Sequence, residues 1–240
     1  MLIIGVAKGL QIPTSWREWG LYIVLGMTGN FVYQVVFNQG LLTIPAATSS
    51  IIMALTPMTT ALMALVVYKD IMRPIGWLFT ITAFAGVAII ILWNGPINVP
   101  MGAFWTLFGM ILFAIYNIVN RGLSLKGHDP ITVATWSMFT GAIMALPFVS
   151  QSVATIAAAP PIAWLAIIYL ACFSSALGFV FWSYALEHAE HVSDVTNFMY
   201  LSPVVAAIVA AILIGEIPDL GLYIGAPIIL CSLYMFNKCR

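Results

Sequence analysis

Met53–Asp70 reads MALTPMTTALMALVVYKD, and Met199–Glu216 reads MYLSPVVAAIVAAILIGE. Met53, Leu55, Pro57, Ala61 and Ala64 recur as Met199, Leu201, Pro203, Ala207 and Ala210, each 146 positions later (199 − 53). A small hydroxyl precedes each proline, Thr56 and Ser202, and an acid closes each copy, Asp70 and Glu216. Both copies lie in long apolar runs, so both prolines fall near mid-helix. Each proline lacks an amide donor and leaves the carbonyl four residues back, Met53 or Met199, without its helical partner. An internal repeat with a broken helix in each copy is a pattern of membrane proteins assembled from repeated halves.

Composition sets the class. The chain is 62% hydrophobic and 7% charged, with a mean hydropathy of +1.06. A soluble domain carries about 25% charged residues, so this chain has no polar coat for a soluble surface and reads as an all-α integral membrane protein. Its net charge is zero, which gives no footprint for nucleic acid. Cys172, Cys231 and Cys239 have no metal-ligand spacing and read as small apolar residues. Met1–Ala7 is apolar but lacks the basic start and cleavage site of a secretion signal.

A spanning helix needs about 20 apolar residues. Eight segments meet this, at 19–40, 45–68, 74–93, 101–121, 131–150, 162–186, 193–214 and 220–237. Proline- and asparagine-rich breaks separate them, among them Asn94-Gly95-Pro96, Asp129-Pro130 and Pro160-Pro161. Eight crossings put both termini on one side. Every lysine and arginine falls on that side: Lys8, Arg17, Lys69, Arg73, Arg121, Lys126, Lys238 and Arg240. The positive-inside rule makes it the cytoplasmic side of a plasma (bacterial inner) membrane. The repeat copies are the second and seventh segments, so they cross in opposite directions. That is an inverted repeat with a five-helix period. A period of five predicts ten helices. The shortfall lies at the start, so the sequence predicts that about one and a half N-terminal helices are missing. Residues 1–95 are then a partial first repeat and 96–240 a complete second one.

With these features the chain resembles the drug/metabolite transporter superfamily, in its EamA-like branch. The residues that carry the resemblance are Leu55-Thr56-Pro57 through Asp70 and Leu201-Ser202-Pro203 through Glu216. Gly40-Leu41 and Ala185-Leu186 resemble the small-residue–Leu pair ahead of each proline helix, and Gly86 and Gly225 match glycines in the helix that follows. Phe79 and Ser232 stand where glycine is expected. The second half has one extra residue between Leu186 and Pro203, and Asp70 replaces the usual glutamate. The resemblance implies a ten-helix fold of two inverted five-helix halves and a transport role. It also implies that the third helix of each half lines a cavity.

Within the helices, Asn30, Tyr33, Gln34 and Asn38 share one face at helical spacing. Lipid-facing amides would cost several kcal/mol unpaired, so this stripe is expected to face the bundle interior. It would serve either substrate or helix–helix hydrogen bonding. Tyr116, Asn117 and Asn120, with Trp105, repeat the idea in the segment at 101–121, although Asn120 beside Arg121 also suits the membrane surface. Ser174, Ser175, Trp182, Tyr184, Asn197, Tyr200 and Ser202 complete the candidates. From these we select Asn30, Tyr33, Gln34, Asn38, Tyr116, Asn117, Trp182, Asn197 and Tyr200 as cavity candidates. Pro57 and Pro203 are the helix kinks, and Asp70 and Glu216 are helix-end acids expected to cap the helices that follow them. Glu187, His188, Glu190 and His191 suit a metal site or pH switch on paper, but a solvated loop is the expectation. Gly221 and Gly225 suit close helix packing, with internal packing expected over a homodimer face.

No charge lies near the centre of any predicted span, where it would cost about 2.5–3.5 kcal/mol. No acid–base cluster, nucleophile–base pair or metal-ligand set occurs at helix depth. The sequence therefore predicts neither an enzyme nor a cofactor. It predicts a lipid-embedded secondary transporter that moves a small neutral or zwitterionic solute, such as an amino acid, or a drug-like compound, by alternating access. The alternative is a non-transporting scaffold derived from such a protein.

Overall fold

The computed structural model describes residues 9–44, 46–93, 101–157, 159–214 and 220–239. Glu216 lies outside them, as do the breaks at 94–96 and 217–219. The described residues are helical with no strand. Among the described residues ten helices carry the fold. These are α1 (Trp16–Leu41), α2 (Ala46–Met53), α3 (Thr56–Tyr68), α4 (Pro74–Leu92), α5 (Met101–Ser124), α6 (Pro130–Ala157), α7 (Pro161–His188), α8 (Val192–Thr196), α9 (Ser202–Ile214) and α10 (Leu220–Cys239). Among the described residues five stretches are long and apolar enough to cross a membrane: Trp16–Leu41, Met101–Ser124, Pro130–Val149, Pro161–His188 and Leu220–Cys239. The protein is an all-α membrane bundle, and the expected spans fit within a few residues at each end.

Four expected spans are internally irregular. The segment at 45–68 divides into α2 and α3 at a turn over Ala54 and Leu55, with Pro57 in the first turn of α3. The segment at 193–214 runs as α8, a 3-10 stretch at Asn197–Leu201, and α9, which begins one residue before Pro203. Proline is tolerated in a first turn because its missing amide has no helical partner there. The carbonyls expected to be orphaned are both satisfied. Met53 O accepts from the Thr56 hydroxyl at 2.6 Å, and Met199 O accepts from the Ser202 amide. The hydroxyl residue ahead of Pro57 therefore closes the break that the proline opens. Helices α1 and α7 each contain a wide π turn, at Gly26–Phe31 and Leu170–Leu177.

The residues cluster into two compact units. The first joins the chain up to Gln34 with Tyr116–Ala189; the second joins Val35–Ile115 with the chain from Glu190 onward. Each unit draws on both 1–95 and 96–240, so packing neighbourhoods cut across the sequence repeat.

In the first unit the π turn of α1 packs on α6. Gly26 abuts Thr140 and the Gly141 backbone, and Gly29 lies against the Tyr116 ring. Thr140 Oγ1 donates to Tyr22 O at 2.8 Å, and Trp19 meets Trp136 edge-on at 4.9 Å. Arg121 is buried, and its guanidinium donates to Leu186 O and Glu187 O. A cation there satisfies end carbonyls of α7 and complements the negative end of its dipole.

In the second unit α4 packs along α10. A Cβ at Gly225 would lie 2.5 Å from Gly86 O, so the two backbones touch at this crossing. The Gly225 face is thus occupied internally, as expected of that spacing. Ala83, Val87, Tyr200, Val204, Ile229 and Leu233 form the apolar core around it.

Candidate functional site

The first unit holds a buried chain of uncharged polar side chains. Asn30 donates to Ser137 Oγ at 2.7 Å. The Tyr116 hydroxyl is hydrogen-bonded to Ser137, Ser183 and Asn120. The Asn120 amide donates to Tyr116 at 3.0 Å and to Ser183 at 2.9 Å. One turn away, Trp182 Nε1 donates to Asn117 Oδ1 at 2.8 Å. These residues come from α1, α5, α6 and α7, so one network ties four helices. Tyr116, Asn117, Asn120 and Ser183 are fully buried. Asn120 is thus buried among the helices.

Not every polar atom there is paired. Asn117 Nδ2, Asn120 Oδ1 and Thr135 Oγ1 are buried without a hydrogen-bond partner among the described residues. In the second unit the same holds for Thr60 Oγ1, Thr196 Oγ1, Asn197 Oδ1 and the Tyr200 hydroxyl. Asn197 Nδ2 reaches Thr80 Oγ1 at 3.3 Å, while the Tyr200 ring is packed into the α4–α10 core. An unmet buried polar group costs about 1–3 kcal/mol. Three of these residues, Asn117, Asn197 and Tyr200, are among the cavity candidates of the sequence.

The stripe on α1 does not stay together. Asn30 is half-buried and bonded, Tyr33 is half-buried, and Gln34 and Asn38 are exposed. The expected common face assumed regular helical spacing. The π turn at Gly26–Phe31 contains Asn30 and inserts an extra residue per turn, which rotates the downstream positions away from it. Trp182 is half-buried in its bond to Asn117, and Tyr184 is exposed and stacked on His188 at 4.1 Å. Trp105 and Ser174 are exposed.

The acids also differ from expectation. Asp70 was expected to cap α4. Its carboxylate instead pairs with His191 and accepts from the Val192 amide at 3.3 Å, at the start of α8. The Asp70 loop thus meets a helix start more than a hundred residues away, because Lys69 turns left-handed (φ 55°) and ends α3 there. His191 is consequently not a freely solvated loop residue, whereas His188 is exposed beside Glu187. Among the described residues no group of three His, Cys, Asp or Glu side chains is placed to hold a metal.

Two features went unread in the sequence. The buried stripe of Thr132, Thr135, Ser137 and Thr140 on α6 had a legible signal in its spacing. Arg121, read as a surface charge, carried no signal of its burial.

An apolar helical bundle with uncharged polar groups buried at helix depth has the make-up of a membrane transporter of small solutes. Its relatives bear this out. The chain belongs to the EamA-like transporter family, whose model matches residues 1–92 and 100–238. It is 29% identical over 230 residues to a probable terminal-alkyne amino-acid exporter of Streptantibioticus cattleyicolor, covering 96% of this chain and 76% of that protein. It is 25% identical over 211 residues to an S-adenosylmethionine uptake transporter of Rickettsia conorii, covering 88% of this chain and 67% of that one. A solved crystal structure shares the fold at a TM-score of 0.78 and 20% identity, over 99% of this chain and 82% of its own. The protein is therefore a transporter and not an enzyme.

Proposed function

We propose that this transporter moves a small neutral or zwitterionic solute across the bacterial plasma membrane by alternating access. The observation that carries the reading is the set of uncharged, buried polar atoms left without partners, above all Asn117 Nδ2 and Asn120 Oδ1. A site built of amides and hydroxyls selects by hydrogen bonding, and it offers no counter-ion to a bare charge. The relative named as an amino-acid exporter supports the same solute class. The breaks before Pro57 and Pro203, equivalent in the two sequence halves, are the proposed hinges of an inverted repeat over 1–95 and 96–240. The charge count supports a topology with both termini in the cytoplasm.

Reconstitution into proteoliposomes tests the proposal. L-leucine or a related neutral amino acid is expected to move down its gradient, and Asn117→Ala is expected to cut the rate about tenfold, the worth of one hydrogen bond to a polar solute. Robust transport of a permanently dicationic solute, with amino acids inert, refutes the solute class.

A further inference from the structure

The second unit carries a cavity of about 470 Å³ at its helix ends, with Met72, Arg73, Glu190, Ser193, Phe236 and Asn237 in its lining. This is the size range of small-molecule sites. Its walls come from the α3–α4 loop, the segment before α8 and the end of α10. The Asp70–His191 pair and the Asp70–Val192 bond fasten two of these walls together.

The lining sorts by chemistry. Arg73 is exposed, sits at the N-cap of α4, makes no capping bond, and forms no ion pair among the described residues. A cation at a helix N-terminus opposes the dipole, so α4 itself gives no reason for it. Glu190 supplies an acid on the facing segment, Ser193 and Asn237 supply neutral hydrogen-bonding groups, and Met72 and Phe236 supply an apolar wall. Cation, acid and apolar surface around one cavity match the three parts of an α-amino acid.

We propose that this helix-end cavity is a second, peripheral binding site for a zwitterionic amino acid. Arg73 takes the carboxylate, Glu190 takes the ammonium group, and Met72 and Phe236 take the side chain. The proposal rests on the zwitterion reading above but concerns a different place in the molecule.

The test uses the full chain in lipid nanodiscs, with Asn237→Cys as a reporter and Cys172, Cys231 and Cys239 changed to serine. The rate of maleimide alkylation at position 237 is measured with L-leucine, with 4-methylpentanoate, which lacks the ammonium, and with isopentylamine, which lacks the carboxylate. Leucine is expected to slow alkylation at least about tenfold, and neither analogue is expected to do so, since each loses one charge-assisted contact. Arg73→Gln and Glu190→Gln are each expected to abolish protection. Asn117→Ala, in the other unit, is expected to leave it intact. Arg73→Lys, which keeps the charge, is expected to retain part of it and shows that loss in Arg73→Gln is not misfolding. Absent protection, equal protection by all three probes, or protection that survives both charge-removing variants overturns the proposal. Leucine transport measured in parallel separates the two readings, because transport without protection removes the peripheral site alone.

Discussion

Glycine-to-alanine substitution at Gly225 and at Gly20 is expected to move stability in opposite directions. A Cβ at Gly225 would lie 2.5 Å from Gly86 O and 2.5 Å from Ile90 Cγ1, where ordinary contact begins at 3.4 Å. The backbone oxygen cannot rotate aside, so α4 and α10 must part by nearly 1 Å. Overpacking of this kind costs about 1–3 kcal/mol. Alanine returns about 0.8–1.0 kcal/mol of helix preference, which leaves a net loss of up to about 2 kcal/mol. Gly86→Ala should rank between Gly225→Ala and wild type, because its shortest contact, 2.8 Å, is to the flexible Ile229 side chain and its backbone contact is 3.0 Å. Gly20, within α1, has nothing within 4 Å of its missing Cβ, so Gly20→Ala should gain up to about 1 kcal/mol. Reversible unfolding in mixed dodecyl maltoside and SDS micelles, followed by circular dichroism, measures all three. Wild-type stability or better in Gly225→Ala would refute the close crossing and, with it, the assignment of that glycine to internal packing.

Three further substitutions probe the breaks and the network. Thr56→Val keeps shape but removes the donor to Met53 O, leaving a buried carbonyl unmet; it should cost about 1–3 kcal/mol, while Thr56→Ser should be near neutral, both read from unfolding midpoints. Asn120→Ala removes one interhelical bond, to Ser183, worth about 0.6 kcal/mol on average and up to about 1.7, and one bond within α5, to Tyr116, worth about 0.5–1.5, so a loss of about 1–3 kcal/mol is expected in the same assay. Lys69→Gly relieves a left-handed residue that carries a side chain and should raise stability by about 1 kcal/mol; an unchanged midpoint would show that the α3 end does not adopt this turn.

The spans were legible because each is a long apolar run between proline- or glycine-marked breaks, and that signal is local. The helix break near Pro57 was legible for the same reason: a missing amide is written in one residue. What satisfied the freed carbonyl was legible only in part. In the sequence Thr56 reads only as a hydroxyl shared in position with Ser202, and nothing there marks it as the hydrogen-bond donor. Other features depend on distant partners. Asp70 reads as a cap for the next helix, yet its partner is His191, 121 positions away. Arg121 reads as a cytoplasmic charge, yet it is buried against the end of α7. Asn117 and Asn120 were visible as polar residues in an apolar helix. That Asn120 shares one network with Asn30 and Ser183, and that Asn117 pairs with Trp182, follows from four helices meeting, which no single segment encodes.

The π turns carry the repeat further than the matched residues do. Aligned on Gly40-Leu41 and Ala185-Leu186, positions in α1 fall 145 residues before their equivalents in α7 (186 − 41). Gly26–Phe31 then corresponds to 171–176, which lies inside Leu170–Leu177. The two stretches, GMTGNF and LACFSSAL, share no aligned residue, so local sequence does not explain the coincidence. A geometric demand common to both halves does, and π turns inside α-helices concentrate at functional positions. Deleting one residue from either turn tests this. Met27 and Cys172 are equivalent under the alignment and both are exposed. Removing either should return the turn to α-helical spacing while keeping the flanking helix in register. Each deletion is expected to preserve a folded, monodisperse protein and to reduce amino-acid transport at least about tenfold, the cost of one displaced hydrogen bond to the solute. Full transport by both deletion variants would show that the wide turns only accommodate packing.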